Sequence, residues 1–173
     1  MKQTRNILAL TLILALMLTF GASAFADDAV FQATQDYVEA LDELDGASWE
    51  VRGMQTVNNT EFETVRISYS GELSDYTSNF TVGFSEDSSE ILFSMMLLSF
   101  DEANLDDVLV DVNQLNAQST SAKLYVDTSD NTVMVELYLL ATEDSAYDIS
   151  LVGTGLFIAF TDAAYEALEE YAA

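Results

Sequence analysis

The chain comes nearest to a chemical motif in the polar stretch Asp127-Thr-Ser-Asp-Asn131. Oxygen-bearing side chains stand at its positions 1, 3 and 5, as in a calcium loop. Such a loop also needs Gly at position 6 for its sharp turn and a bidentate Glu at position 12. Thr132 and Tyr138 occupy those places, so a specific calcium site is not expected here. Asp127-Thr128 opens like an aspartic-protease motif. Ser129 stands where Gly belongs, however, and there is no second copy to complete a dyad. Ser129-Asp-Asn131 also matches the S-D-N element of penicillin-binding enzymes. The nearest approach to their S-x-x-K is Thr120-Ser-Ala-Lys123, and K-T-G is absent. The ordinary reading of the stretch is a polar hairpin turn.

Asn113 and Asn116 stand three apart and could act as a ligand pair. Near a helix end they read more simply as capping and turn residues. Asn58-Asn-Thr60 and Asn79-Phe-Thr81 have the form of glycosylation sequons, which matter only in a host that glycosylates. The chain has neither Cys nor His. Disulfides, thiol nucleophiles and zinc fingers are thereby excluded, as are the usual general base and near-neutral pH switch. No G-x-S-x-G, phosphate-binding loop or dinucleotide fingerprint occurs. The sequence therefore assigns no catalytic, cofactor-binding or metal-binding residue. Its 30 acidic residues leave two alternatives open, a carboxylate-dependent hydrolase and an acidic cation-binding exported protein. The first needs two carboxyls about 5–10 Å apart in a pocket. The second needs six to eight converging oxygens.

The N-terminus has the layout of a secretory signal peptide. Lys2 and Arg5 precede an apolar run, Ile7 to Phe20, and Ala24-Phe-Ala26 follows with small residues at the cleavage-determining positions. Cleavage is expected before Asp27. The run is short for a membrane span of about 20 residues. Residues 27–173 would then form one α+β domain, exported to the periplasm or beyond. Three basic residues, Arg52, Arg66 and Lys123, face all 30 acidic ones in this portion, a net charge of −27. Such a surface repels nucleic acid and anionic membranes. The acids are spread along the chain, which suits solubility or a saline medium.

Hydrophobic periodicity supplies the elements. Val30, Phe31, Val38, Leu41 and Leu44 mark an amphipathic helix over 29–44, ended by Gly46. A strand over 48–57 holds Trp49, Val51 and, out of step, Met54. Asn58-Asn59 makes a turn. Val65, Ile67 and Tyr69 alternate with Thr64, Arg66 and Ser68 in the next strand, and Phe80, Val82 and Phe84 mark a third. Glu90 to Phe100 is apolar on both faces, which points to a central strand. Asp101 opens a second helix with a stripe of Leu105, Val108, Leu109, Val112 and Leu115, stopped at Asn116. Two strands, Ala122–Val126 and Val133–Leu139, flank the polar turn. A last helix runs from Ser145 to Tyr171 with Ile149, Val152, Leu156, Phe160, Ala164 and Leu168 as its stripe. Within it, Gly153 and Gly155 suggest a bend or a close approach to the sheet. The apolar part, Ile149 to Phe160, looks too short to cross a bilayer. The order α-β-β-β-β-α-β-β-α predicts an antiparallel sheet of about six strands packed with three helices.

From Asp101 to Leu140 this order becomes that of a known family. A helix ending in Asn-x-x-Asn, here Asn113-Gln-Leu-Asn116, leads into a short strand, an acidic turn and an apolar strand. This resembles the YbjN family of bacterial domains, proposed sensory transduction regulators with a fold like that of type III secretion chaperones. The strand Phe80-Thr-Val-Gly-Phe84 and the closing helix fit the family's order. Many members carry an aromatic residue just before the second Asn, where this chain has Leu115. The resemblance implies no catalytic residue. It implies binding of a protein or peptide, often by a dimer.

A two-faced central strand raises one further expectation. Ile91, Phe93, Met95, Leu97, Val133, Val135, Leu137 and Leu139 would face the helices. Leu92, Met96, Leu98, Met134, Tyr138 and Leu140 would share the opposite face with Ser94 and Glu136. That face is either covered by a helix or open as a partner site. Met is common on adaptable binding surfaces.

Overall fold

The computed structural model describes Ala29, residues 31–71, Ser74 and residues 76–173 of the chain; the side chain of Glu143 is likewise outside the description. The signal-peptide reading and Val30 fall outside these residues.

Helix α1, Gln32–Leu41, is shorter than the 29–44 expected. It begins at Phe31, whose extended backbone turns its N–H away from the helix. Glu63, buried in the strand Thr60–Tyr69 below, accepts that N–H at 2.7 Å. The helix buries Ala33, Thr34, Tyr37, Val38 and Leu41. Gly46, at φ +84°, then lets the chain turn into β1, Ala47–Val57. An added Cβ there would meet the Gly71 backbone at 2.7 Å, so both conformation and space demand glycine.

The out-of-step Met54 has a structural cause. The register of β1 on β2, Thr60–Tyr69, shifts between Val51 and Gly53, leaving Arg52 as the extra residue of a bulge. Asn58 and Asn59 both take positive φ, 51° and 68°, which is the two-residue hairpin turn expected of them. β3, Ser78–Ser85, and β4, Glu90–Ser99, follow as antiparallel neighbours.

Helix α2, Leu105–Gln118, is led in by a short 3-10 turn, Glu102–Asn104, capped by the Asp101 carboxylate. It runs past Asn116 and ends at Ser119, where the backbone becomes extended. β5, Ala122–Asp127, and β6, Thr132–Leu140, form the second hairpin. Helix α3, Ala146–Leu168, closes the fold. The sheet order is β1-β2-β3-β4-β6-β5, antiparallel throughout, so β4 lies inside the sheet as its two apolar faces required.

All three helices lie on one face. α1 sits over β1 and β2, α3 over β4 and β6, and α2 over β5. Ile91, Phe93, Val133, Val135 and Leu137 are fully buried there, with Met95 and Leu139 packed at the margin.

The stripe expected on α3 is displaced. The buried residues are Ser150, Gly153, Thr154, Phe157, Ile158, Thr161, Ala164 and Leu168, while Val152 and Leu156 are exposed. The helix lies so close to the sheet that a Cβ on Gly153 would meet Leu139 Cδ1 at 2.7 Å and the Phe93 ring at 2.8 Å. Ser150, Gly153 and Thr154 therefore face inward along with Phe157 and Ile158, while Val152 and Leu156 turn outward. Thr154 Oγ1 and Tyr37 Oη, 2.6 Å apart, join α3 to α1 within the core. Contrary to expectation, the helical run Ala146–Tyr171 is long and apolar enough to cross a membrane by length and composition alone. Here it serves as the core helix over the sheet.

Candidate functional site: the open face of the sheet

Among the described residues, no helix covers the other face of the sheet. Its centre is apolar. Met96 is 56% exposed, Tyr138 47% and Leu140 73%, with Leu92 and Met134 half-buried between them. Strand pairing joins them side by side, Leu92 to Tyr138 and Met96 to Met134. Five of the six residues expected to form a partner surface are thus together and accessible.

Leu98 is the exception. β4 slips by one residue against β6 between Met96 and Leu98, so that Leu98 pairs with Val133. A one-residue slip transfers every later side chain to the opposite face. Leu98 is accordingly 5% exposed and belongs to the core. A bulge leaves no mark in an apolar run that is equally apolar on both faces. Alternation alone could not place Leu98.

Polar residues flank this centre, and sequence reasoning had not connected them. Arg66 on β2 and Arg52 at the β1 bulge share an open concavity of about 810 Å³ with Asn79, Thr81, Ser94 and Met96. Arg52 pairs with Glu50 at 3.0 Å. On the far side, Tyr125 Oη donates to Glu136 Oε1 at 3.2 Å. Partial desolvation of the exposed Tyr138 phenol, helped by the neighbouring Glu90 carboxyl, pushes its pKa up to about 12. Lys123, on the edge strand, donates to the backbone carbonyls of Asn116 and Ser119 at 3.1 and 2.7 Å. It thereby caps the C-terminal end of α2. Arg52, Arg66 and Lys123 are the three basic residues of positions 27–173. All of them lie on this face or its rim. The signal available in the sequence was parity: Arg66 alternates with the inward Val65 and Ile67.

The motif-like stretches have structural roles. Asn116 does not stop α2. Its side-chain amide donates to the Leu124 carbonyl at 2.7 Å and its Oδ1 accepts the Leu124 N–H at 2.8 Å. The residue therefore fastens β5 to the helix. Asn113 is exposed, and the two asparagines do not converge. Asp127 Oδ1 accepts from the Ser129 backbone and hydroxyl at 2.9 and 2.6 Å, which holds its carboxyl below the usual range. Asn131, at φ 52°, completes the turn. Among the described residues, no group of three or more Asp or Glu side chains could hold a metal ion. None of the residues lining the Arg66 concavity is an Asp or Glu.

No family model matches the chain, and no curated protein does. Among solved structures, the fold is similar to that of YbjN from E. coli, a proposed transcription regulator. The TM-score is 0.38 and the identity 16%, over 58% of this chain and 77% of that one. The functional reading rests on the chain's own geometry.

Proposed function

We propose that the protein is an exported, non-enzymatic binding module of the YbjN type. It takes up a protein or peptide partner on the open face of its sheet and uses no cofactor. One observation carries the reading: Met96, Tyr138 and Leu140 stand exposed beside Leu92 and Met134 on a face that none of the described helices covers. Grouped exposed apolar residues rimmed by polar ones mark interaction sites. Thioether side chains let such a surface adapt to its partner. The basic residues gathered here make it the least negative part of a strongly acidic molecule. An acidic partner can approach it more easily than any other side.

Export rests on the N-terminal layout, with the exported form beginning at Asp27. Intact mass of the exported protein tests it; a species retaining Met1 in the membrane fraction would overturn the localisation. Met96→Glu tests the binding reading. The expected result is a protein with an unchanged melting temperature that no longer holds its partner or itself. Unfolding by this substitution would show the surface to be interior.

A further inference from the structure

One row of side chains crosses the whole open face. Strand pairing sets Glu50 beside Arg66, Arg66 beside Thr81, Thr81 beside Ser94, Ser94 beside Glu136, and Glu136 beside Lys123. From β1 to β5 the row reads negative, positive, polar, polar, negative, positive. Laid on its own reverse, every charge meets its opposite and the two hydroxyl residues meet each other.

We propose that the occupant of this face is a second copy of the chain, packed sheet against sheet about a two-fold axis that runs along the strands between β3 and β4. The inference rests on the open face being a binding surface and names its partner. Under this symmetry β1 lies over the partner's β5, β2 over its β6 and β3 over its β4. Arg66 then faces the partner's Glu136, and Glu136 faces the partner's Arg66. Glu50 lies toward the partner's Lys123 at the rim, and Thr81 lies over the partner's Ser94 across the concavity that both line.

A two-fold axis across the strands would instead set Arg66 on the partner's Arg66, so the charges choose between the two symmetries. An interface between identical copies must be self-complementary in this way; a foreign partner imposes no such requirement.

Long-range charge supports the same orientation. Two copies, each formally −25 over the whole chain, repel at most approaches. The face that holds Arg52 and Arg66, with Lys123 at its rim, is where they can meet. Six strands at their ordinary spacing present roughly 600 Å² per copy, near the ~800 Å² per partner of a standard interface. Lys123 is engaged with the end of α2, so the Arg66–Glu136 pair sets the register.

The test uses the full chain expressed in an exporting host, with mass measured in solution by light scattering at physiological salt. The wild type is expected to be a dimer. Arg66→Glu and Glu136→Arg each set like charges opposite one another and should raise the dimer dissociation constant at least tenfold, with circular dichroism unchanged. Mixing the two variants should restore a dimer, because each supplies the charge that the other lacks. A variant weakened merely by misfolding would not be rescued by the other. A dimeric mixture of two monomeric variants therefore establishes the pairing. A monomeric wild type, two variants that remain dimeric, or a mixture that stays monomeric would overturn it. A monomeric wild type that still loses a captured partner on Met96→Glu would overturn self-association alone. A dimer indifferent to Met96→Glu and to both charge variants would overturn the binding face as well.

Discussion

At the scale of single residues, the groups that resemble chemistry turn out to hold the chain together. Asn116 makes two hydrogen bonds to Leu124, one in each direction. Asn116→Ala should cost about 1–3 kcal/mol, since it leaves half-buried backbone groups of β5 unpaired. Urea unfolding would measure this, and hydrogen exchange should show β5 loosening first. Asp127 is different. It is exposed and bonds only within its own turn, so Asp127→Ala should leave both the fold and any binding unchanged. Loss of partner binding with an intact fold would return the turn to candidacy as a site.

The tyrosines predict behaviour at alkaline pH. The Asp111 carboxylate accepts the Tyr171 hydroxyl at 2.9 Å and pushes that phenol up to about 12, against an ordinary 10.0. Partial desolvation does the same for Tyr138, and full burial does so more strongly for Tyr37. A raised folded-state pKa favours the protonated form. Its stabilisation is complete below pH 10 and is lost as pH rises through about 12. Melting temperature should therefore hold steady up to about pH 10 and fall beyond it. Tyrosinate absorbance should appear together with unfolding.

At the scale of elements, α3 depends on its close approach to the sheet. Gly153→Ala improves helix propensity by about 1 kcal/mol. The added methyl, however, would meet Phe93 and Leu139 under 3 Å, and overpacking costs about 1–3 kcal/mol. Both contacts are to packed side chains in the core, so net destabilisation is expected. Its measurement is the denaturation midpoint. The same closeness explains why the apparent stripe on α3 was misleading. Where a helix is held off by large side chains, those side chains mark the buried face. Where it lies almost on the strands, Ser150, Gly153 and Thr154 mark it, and Val152 and Leu156 are left outside. Composition along the helix resembles both cases.

At the scale of the whole molecule, charge dominates. Added salt should raise the melting temperature by screening self-repulsion. Calcium and magnesium at equal ionic strength should raise it alike. A large calcium-only shift, of the kind that tight binding produces, would instead favour the cation-binding alternative. The same screening should favour the approach of two acidic copies.

Element order, the antiparallel sheet, the central place of β4 and the hairpin at Asn58-Asn59 were all legible in the sequence. Each depends on residues close together in the chain, and local alternation and turn chemistry report on such neighbours. Three matters were decided only by the tertiary structure. The face to which Leu98 belongs depends on a bulge that is set by pairing with Val133, 35 residues away. The inward side of α3 depends on how nearly the helix approaches Phe93 and Leu139. The charge row from Glu50 to Lys123 is assembled from six strands whose spatial order departs from their order in the chain. Periodicity states which residues share a face of one strand. Only the register between strands determines which of them stand side by side, and the open face takes its character from that register.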